Sequence, residues 1–250
     1  MTIKPILMSG PMVLATLREI ENPGTGKTQT RRVLNPQPDR DCHHFHKVFA
    51  EPPYFEARNR NNEPIYPFHY PKDCVSPYPR ISIAVGDLLY VREAWRTYNS
   101  LNEYSPLELL EARGFKEKDG SWPIFYIADG ETKAHTGKFR QGMHLPRALS
   151  RITLKVTDVR VQRVQDISID DMTAEGIDLE LEPYSDQFCQ AEGIQAGGGS
   201  CGCRHAELYP FKLLWNSLNE KRGYGWETNP WVAAYTFEPM LVNVDQLEAA

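Results

Sequence analysis

Apolar positions along this chain switch repeatedly between a helical period and an alternating one, and neither pattern runs far. Over residues 11–20, Met12, Val13, Leu17 and Ile20 share one helical face, which predicts a short amphipathic helix. Ser105 and Pro106 read as a cap and a first-turn proline. Leu107, Leu109, Leu110 and Phe115 form the apolar side of the helix they open, and Asp119 and Gly120 end it. At 168–176 a short helix is expected: Ser168 caps it, Asp170 and Asp171 fill its first turn, and Gly176 stops it. A further amphipathic helix spans 210–218, with Phe211, Leu214, Trp215 and Leu218 on one side.

Strand patterns lie between these helices. Residues 88–93 follow the turn Val85, Gly86, Asp87 as an apolar, β-prone run ending in charge. Residues 122–128 are a second run, closed by Asp129 and Gly130. The clearest alternation is at 151–164, with Ile152, Leu154, Val156, Val159, Val161 and Val164 inward and Asp158 marking a bulge or bend. A last strand covers 231–237. Residues 35–80 are dense in Pro, Asn, Asp, Tyr and His without periodicity, and read as a long loop or insertion. Residues 187–204, with Gly197, Gly198 and Gly199, read as a flexible insertion. Many short strands with few, isolated helices predict an α+β fold built as a small β-barrel decorated by helices, with the whole chain of 250 residues as one domain.

Composition narrows the function. No apolar run approaches the ~20 residues of a membrane span, and the first residues lack a signal-peptide pattern, so a cytoplasmic protein that does not engage membrane is expected. The net charge of −5 argues against a protein that coats a duplex. Basic residues nevertheless cluster at Arg31 and Arg32 and again at Arg147, Arg151, Arg160 and Arg163. Acids concentrate at 103–117 and 178–186. A local basic face on an acidic chain suits a small nucleoside-like ligand better than a long nucleic-acid track. Five cysteines without an export signal argue against a disulfide framework. Cys201, Cys203 and His205, and likewise Cys42, His43, His44 and His46, resemble halves of a metal site. Neither has the Cys-x2-Cys spacing of strong zinc motifs, so they read as reduced, solvent-side groups in loops, and no metal or other cofactor is expected.

The chemistry concentrates in Gly26, Lys27, Thr28, Gln29, Thr30, Arg31 and Arg32: an ammonium, two hydroxyls and two guanidiniums in seven residues. Gly26, Lys27 and Thr28 end like a phosphate-binding P-loop. That motif requires a glycine where Glu21 stands, and a strand before it where a helix is expected, so the nucleotide-triphosphatase reading fails. Amide cleavage needs a nucleophile, a proton carrier and oxyanion stabilisation. Thr30 offers a hydroxyl. Lys27 accepts its proton only if neutral, a state favoured by burial and by neighbouring positive charge.

In order along the chain, residues 26–31, then 85–93, then 151–160, then Ala174, Glu175 and Gly176, then a closing aromatic strand resemble the ASCH domain. The likeness is nearer to the long ASCH proteins of phages and prophages, which also show the elements here at 143–147 and 214–231. It covers most of the chain in pieces, skipping about 39–71 and 178–205. The resemblance implies a PUA-like β-barrel with insertions at about 39–80 and 178–205. It implies an association with RNA or modified bases. Some small bacterial members hydrolyse the amide of N4-acetylcytidine and related nucleosides, using a lysine, a threonine three residues later and a distant glutamate. By motif these fall on Lys27, Thr30 and Glu175.

The reading is thus an N4-acylcytidine amidohydrolase-like hydrolase with Lys27, Thr30 and Glu175 as its catalytic set, acting on a modified nucleoside or single-stranded RNA. Substrate contacts are expected from Arg31, Arg32, Arg92, Glu93, Trp95, His144, Arg147 and Trp231. Blander roles stay open: a structural Arg92–Glu93 ion pair, core packing for Trp95 and Trp231, and Arg31 pairing at the surface with Glu19 or Glu21. Two other functions stay open as well. One is a non-catalytic module binding RNA or a modified base, the other a phage accessory or assembly protein whose insertions contact proteins.

Overall fold

A computed structural model describes residues 1–38, 42, 44–48, 54–63, 81–111, 122–130, 135–177 and 208–248. The expected end of the second helix, the insertion at 187–204, and the group Cys201, Cys203, His205 lie outside these residues. Strands β1 (Ile3–Leu7), β2 (Gln29–Val33), β3 (His44–Val48), β4 (Tyr54–Arg58) and β5 (Leu88–Arg92) come first in the chain. They are followed by β6 (Trp95–Arg96), β7 (Phe125–Tyr126), β8 (Thr153–Arg163) and β9 (Trp231–Met240). The helices are α1 (Gly10–Glu21), α2 (Pro106–Glu111), α3 (Ile169–Ala174), α4 (Tyr209–Asn219) and α5 (Val244–Glu248). Among the described residues no helix is long and apolar enough to cross a membrane.

The expected barrel is not formed. The principal sheet is open, with strand order β1-β5-β8-β9-β2, and β3-β4 and β6-β7 are separate two-stranded ribbons. Closure requires a hydrogen-bonded ladder between the first and last strands. Here β1 and β2 stand at opposite edges, each with one partner. The fold remains α+β with mixed pairing, since β1 is parallel to β5 and β5 antiparallel to β8.

The chain divides into two compact units. The first combines Met1–Thr28, Ile83–Thr157 and Thr236–Ala250. Its strand β1 carries no alternation signal, because Lys4 and Pro5 sit at its centre. Register comes instead from Asp87: its carboxylate accepts from the Thr2 amide at 2.8 Å, the Lys4 ammonium at 2.6 Å and the Ala84 amide at 3.0 Å. Burial alone would raise the Asp87 pKa, but these bonds outweigh it and hold the carboxyl well below the ordinary range. The core of this unit gathers Trp95, Leu101, Leu109, Leu145 and Leu149 under α2 and β7. Leu88, Tyr90 and Val244 form a smaller cluster that seats α5, a helix the sequence pattern did not predict. Only Phe125 and Tyr126 of the expected strand at 122–128 pair as one, with a 3-10 turn at Ile127–Asp129 after them.

The second unit combines Gln29–Ser82 and Asp158–Tyr235. Part of the expected loop at 35–80 is in fact the β3-β4 hairpin, with Phe45 opposite Ala57. Cys42 is buried rather than solvent-side. Val164, Ile167, Met172, Leu208, Phe211, Trp215, Trp226 and Val232 form the core, which packs α3 and α4. The expected cap is present: the Ser168 hydroxyl accepts from the Asp171 amide at 3.0 Å, and Gly176 (φ +87°) ends the turn in the left-handed region.

Candidate functional site

The lysine-bearing loop is held by α1 within the first unit. The Glu19 carboxylate accepts from the amides of Gly24 and Gly26, the latter at 2.8 Å, and the Lys27 amide donates to the Ala15 carbonyl at 2.9 Å. Glu19 is therefore committed to this loop rather than to Arg31. Gly26 is required by close approach, since a Cβ there would lie 2.3 Å from the Ala15 carbonyl oxygen and the Glu19 nitrogen. Gly26→Ala is accordingly expected to destabilise by about 1–3 kcal/mol or more, read as a fall in thermal midpoint. An unchanged midpoint would contradict the tight packing. Lys27 itself is 0% exposed.

In the second unit, strand alternation turns Gln29 and Arg31 to one face of β2 and Thr30 and Arg32 to the other. Arg31 is 4% exposed, and its guanidinium is spent on two acids of the α3 segment. Nη1 donates to Glu175 Oε1 at 2.9 Å and to Gln29 Oε1 at 2.5 Å, and Nη2 donates to Asp171 Oδ2 at 2.8 Å. Asp171 Oδ1 accepts in turn from Gln29 Nε2 at 3.1 Å and Arg160 Nη2 at 2.8 Å. The Arg31 Cζ lies 5.7 Å from the centroid of the Phe211 ring. Glu175 is 6% exposed. A buried arginine bridging two carboxylates fixes their orientation and neutralises charge that burial would make costly.

On the other face, Arg32 Nη1 donates to Thr30 Oγ1 at 2.8 Å and to the Arg31 carbonyl at 3.0 Å. Burial lowers the Arg32 pKa, the charges of Glu175 and Tyr235 oppose that shift, and Arg222 adds to it. Burial pushes the Tyr235 phenol up to about 12, with the Arg32 charge working against the shift. No protein-family model, no curated protein and no solved structure matches this chain.

Asp171 supplies a pH test. Burial would raise its pKa, but hydrogen bonds from Arg160 and Gln29 and the charges of Arg31 and Arg160 prevail and hold it below the ordinary value. A carboxyl depressed on folding contributes stability above its unfolded pKa of about 3.9, and that contribution is lost as pH falls through the folded value. Asp171→Asn is therefore expected to flatten the acid limb of the stability profile below about pH 4, measured by denaturant midpoints. A limb as steep as that of the parent would contradict this.

The remaining expected contacts fall into different settings. Glu93 does not pair with its neighbour Arg92. It receives Arg151, Nε to Oε1 at 2.8 Å and Nη2 to Oε2 at 3.0 Å, and Arg151 also grips Asp129 and lies 4.0 Å over the Tyr126 ring. Burial raises the Glu93 pKa, and Arg151 limits the rise. Trp95 is a core residue. Trp231 is buried between the Phe45 ring (centroids 4.9 Å) and the Arg163 guanidinium (4.3 Å). Arg147 pairs with Asp245 at 2.5 Å, and His144 is exposed on a 3-10 turn. Arg92 donates to the Met143 carbonyl and the Tyr90 hydroxyl. Gln29, Arg160 and Asp171, though part of the charged and capped patterns in the sequence, were not expected at the site. The one legible signal was that Asp171 and Glu175 lie four apart across α3 and its cap, hence on one helical face. Among the described residues no group of three or more His, Cys, Asp and Glu is arranged to hold a metal.

Proposed function

We propose that this chain is a hydrolase of a modified pyrimidine nucleoside, cleaving the exocyclic amide of an N4-acylcytosine with Lys27, Thr30 and Glu175. What supports this reading above all is the withdrawal from water of the polar residues that carry the ASCH resemblance: Lys27, Thr30, Arg31 and Glu175 are all buried. Burial of so many polar groups opposes folding unless they are paired or used.

In the proposed reaction the Thr30 hydroxyl attacks the acyl carbon, and its proton passes to the neutral amine of Lys27. The guanidinium bonded to Thr30 Oγ1 favours the oxygen's developing negative charge. The resulting ammonium then returns the proton to N4 as the C–N bond breaks, releasing cytidine and leaving the acyl group on Thr30. Water, deprotonated by the same amine, hydrolyses that ester, and the proton goes back to the threonine oxygen. The Glu175 carboxylate, oriented by Arg31, accepts the N4–H hydrogen bond and so selects an acylated amine over an ester. Arg31 acts here through Glu175, as a positioning residue.

The experiment is a screen of N4-acetylated cytosine, cytidine and deoxycytidine, and of a short RNA carrying N4-acetylcytidine, followed by ultraviolet absorbance and by release of acetate. Turnover of any one that disappears in Lys27→Ala supports the proposal. Absence of turnover on all four, or turnover indifferent to Lys27, rejects it.

A further inference from the structure

Two backbone bonds fix the register of β9 against β2, its neighbour in the principal sheet. The Phe237 amide donates to the Thr28 carbonyl at 2.8 Å, and the Leu34 amide donates to the Trp231 carbonyl at 3.0 Å. Between these bonds one strand rises in number by as many residues as the other falls, so the pairing is antiparallel and carries no net bulge. Thr30 therefore stands directly opposite Tyr235, and Arg32 opposite Ala233, all four within the second unit. Residues opposite one another in such a ladder project to one face with Cβ atoms about 4.5–5.5 Å apart, and diagonal neighbours stay within reach of long side chains. Tyr235 thus shares the face of Thr30 and Arg32, not that of Gln29 and Arg31.

On that face the Arg32 guanidinium engages two hydroxyl-bearing residues. Its Nη1 donates to Thr30 Oγ1, and its charge acts on the Tyr235 phenol against the rise that burial imposes. Ala233, opposite Arg32, brings only a methyl group to the same face. Tyr235 is buried, and its phenol, pushed up to about 12, keeps its proton at neutral pH. A guanidinium donates hydrogen bonds but accepts none. The phenol's proton is therefore not spent on Arg32, and Tyr235 sets a neutral donor opposite the Thr30 hydroxyl. A side chain used there for packing alone would gain nothing from a hydroxyl, because burying one without a partner opposes folding.

We infer that Tyr235 is a further catalytic residue of the proposed hydrolysis, its phenol donating a hydrogen bond to the carbonyl oxygen of the acyl group as that oxygen becomes negative. The inference rests on the hydrolase reading, which brings the Thr30 oxygen to the acyl carbon. As that bond forms, the π pair of the C=O bond moves onto the carbonyl oxygen. Arg32 is engaged with the attacking oxygen itself, so the charge developing on the carbonyl oxygen needs a donor of its own. The proton stays on the phenol throughout. The electron pair returns to the C=O bond as the C–N bond breaks, and the contact serves again when water attacks the ester. Arg222, whose charge also reaches Arg32, is exposed on the turn after α4 and donates to Asn219 Oδ1 at 3.3 Å, so it is poorly placed for this role.

The test compares the full-length parent with Tyr235→Phe, which deletes the hydroxyl and keeps the ring. Both are assayed on the N4-acetylated substrate that the parent turns over and on its N4-thioacetyl analogue. On the acetyl substrate kcat is expected to fall about 10²–10³-fold, the effect of losing one oxyanion donor, with KM nearly unchanged. Sulfur accepts hydrogen bonds weakly, so the deficit on the thioacetyl analogue should be much smaller. A structural role for the hydroxyl gives the same deficit on both substrates. Partial unfolding of the variant scales both deficits equally and cannot imitate the difference, and a thermal midpoint near the parent's confirms the fold. Activity of Tyr235→Phe within about three-fold of the parent overturns the inference and leaves the hydrolase reading standing, as do equal deficits on the two substrates. A parent that turns over none of the acetylated substrates rejects the hydrolase reading, and this inference falls with it.

Discussion

Thr30→Ala is expected to lower turnover of an N4-acylcytidine by at least about 10³-fold, because it removes the oxygen that would carry the acyl group. Lys27→Ala is expected to lower it by about 10²–10⁴-fold through loss of the proton carrier. The double variant should be little worse than either alone, since the two groups act on one step. Thr30 is buried and accepts from Arg32, so the alanine variant also removes an acceptor from a half-buried guanidinium, a loss of about 1 kcal/mol. Thr30→Ser separates the two effects. It keeps the acceptor and the nucleophile and should retain measurable turnover with near-parental stability. Burst kinetics with the parent, showing acyl-enzyme accumulation, would place the covalent bond on this hydroxyl. Equal activity in Thr30→Ala would end the nucleophile assignment, whatever became of Lys27.

The second large effect concerns stability. Arg31→Met is expected to destabilise the protein by about 3–5 kcal/mol, because Asp171 and Glu175 lose the guanidinium that bridges them in a buried setting. For a chain of this size that corresponds to a fall of roughly 10 °C in the thermal midpoint, at about 2–4 °C per kcal/mol. The sign with pH is specific. Arg31 is valuable only while its acids are charged, so the deficit should be largest near neutrality. It should shrink as pH falls below the unfolded carboxyl value of about 4 toward the lower pH at which folded Asp171 takes up its proton, where the parent also loses the contribution. Arg31→Lys restores the charge but not the two-armed geometry, and should recover only part of the loss. A deficit under about 1 kcal/mol, or one constant with pH, would mean that the bridge contributes little beyond packing.

Where periodicity was strong, the sequence and the structure agree. The helix at 11–20, the capped helix at 168–176 and the long strand at 151–164 appear as α1, α3 and β8 within a few residues. Each is decided locally, by apolar spacing, a cap or a stop residue. The elements that were missed are those whose stability is not local. Strand β1 is five residues long with a proline at its centre, and it exists because Asp87 and β5 hold it. The hairpin β3-β4 lies in a polar stretch, and α5 is a short helix seated on Leu88 and Tyr90. The barrel expectation failed for the same reason: strand content was legible, but whether the edge strands meet depends on pairings far apart in the chain.

The same division runs through the candidate chemistry. From its residue types alone the chain declared a costly concentration of ammonium, hydroxyl and guanidinium at Lys27, Thr30, Arg31 and Arg32, and a carboxylate at the end of a capped helix. Side-chain identity is written in the sequence, and polar groups at that density have few structural uses. Only the tertiary structure decided the partnerships. Glu93 took Arg151 rather than the adjacent Arg92, Arg31 took Asp171 and Glu175 rather than Glu19, and Trp95 went into a core. Partner choice among charged groups follows distance and burial, and both are set by contacts between residues that the chain keeps as many as 144 positions apart.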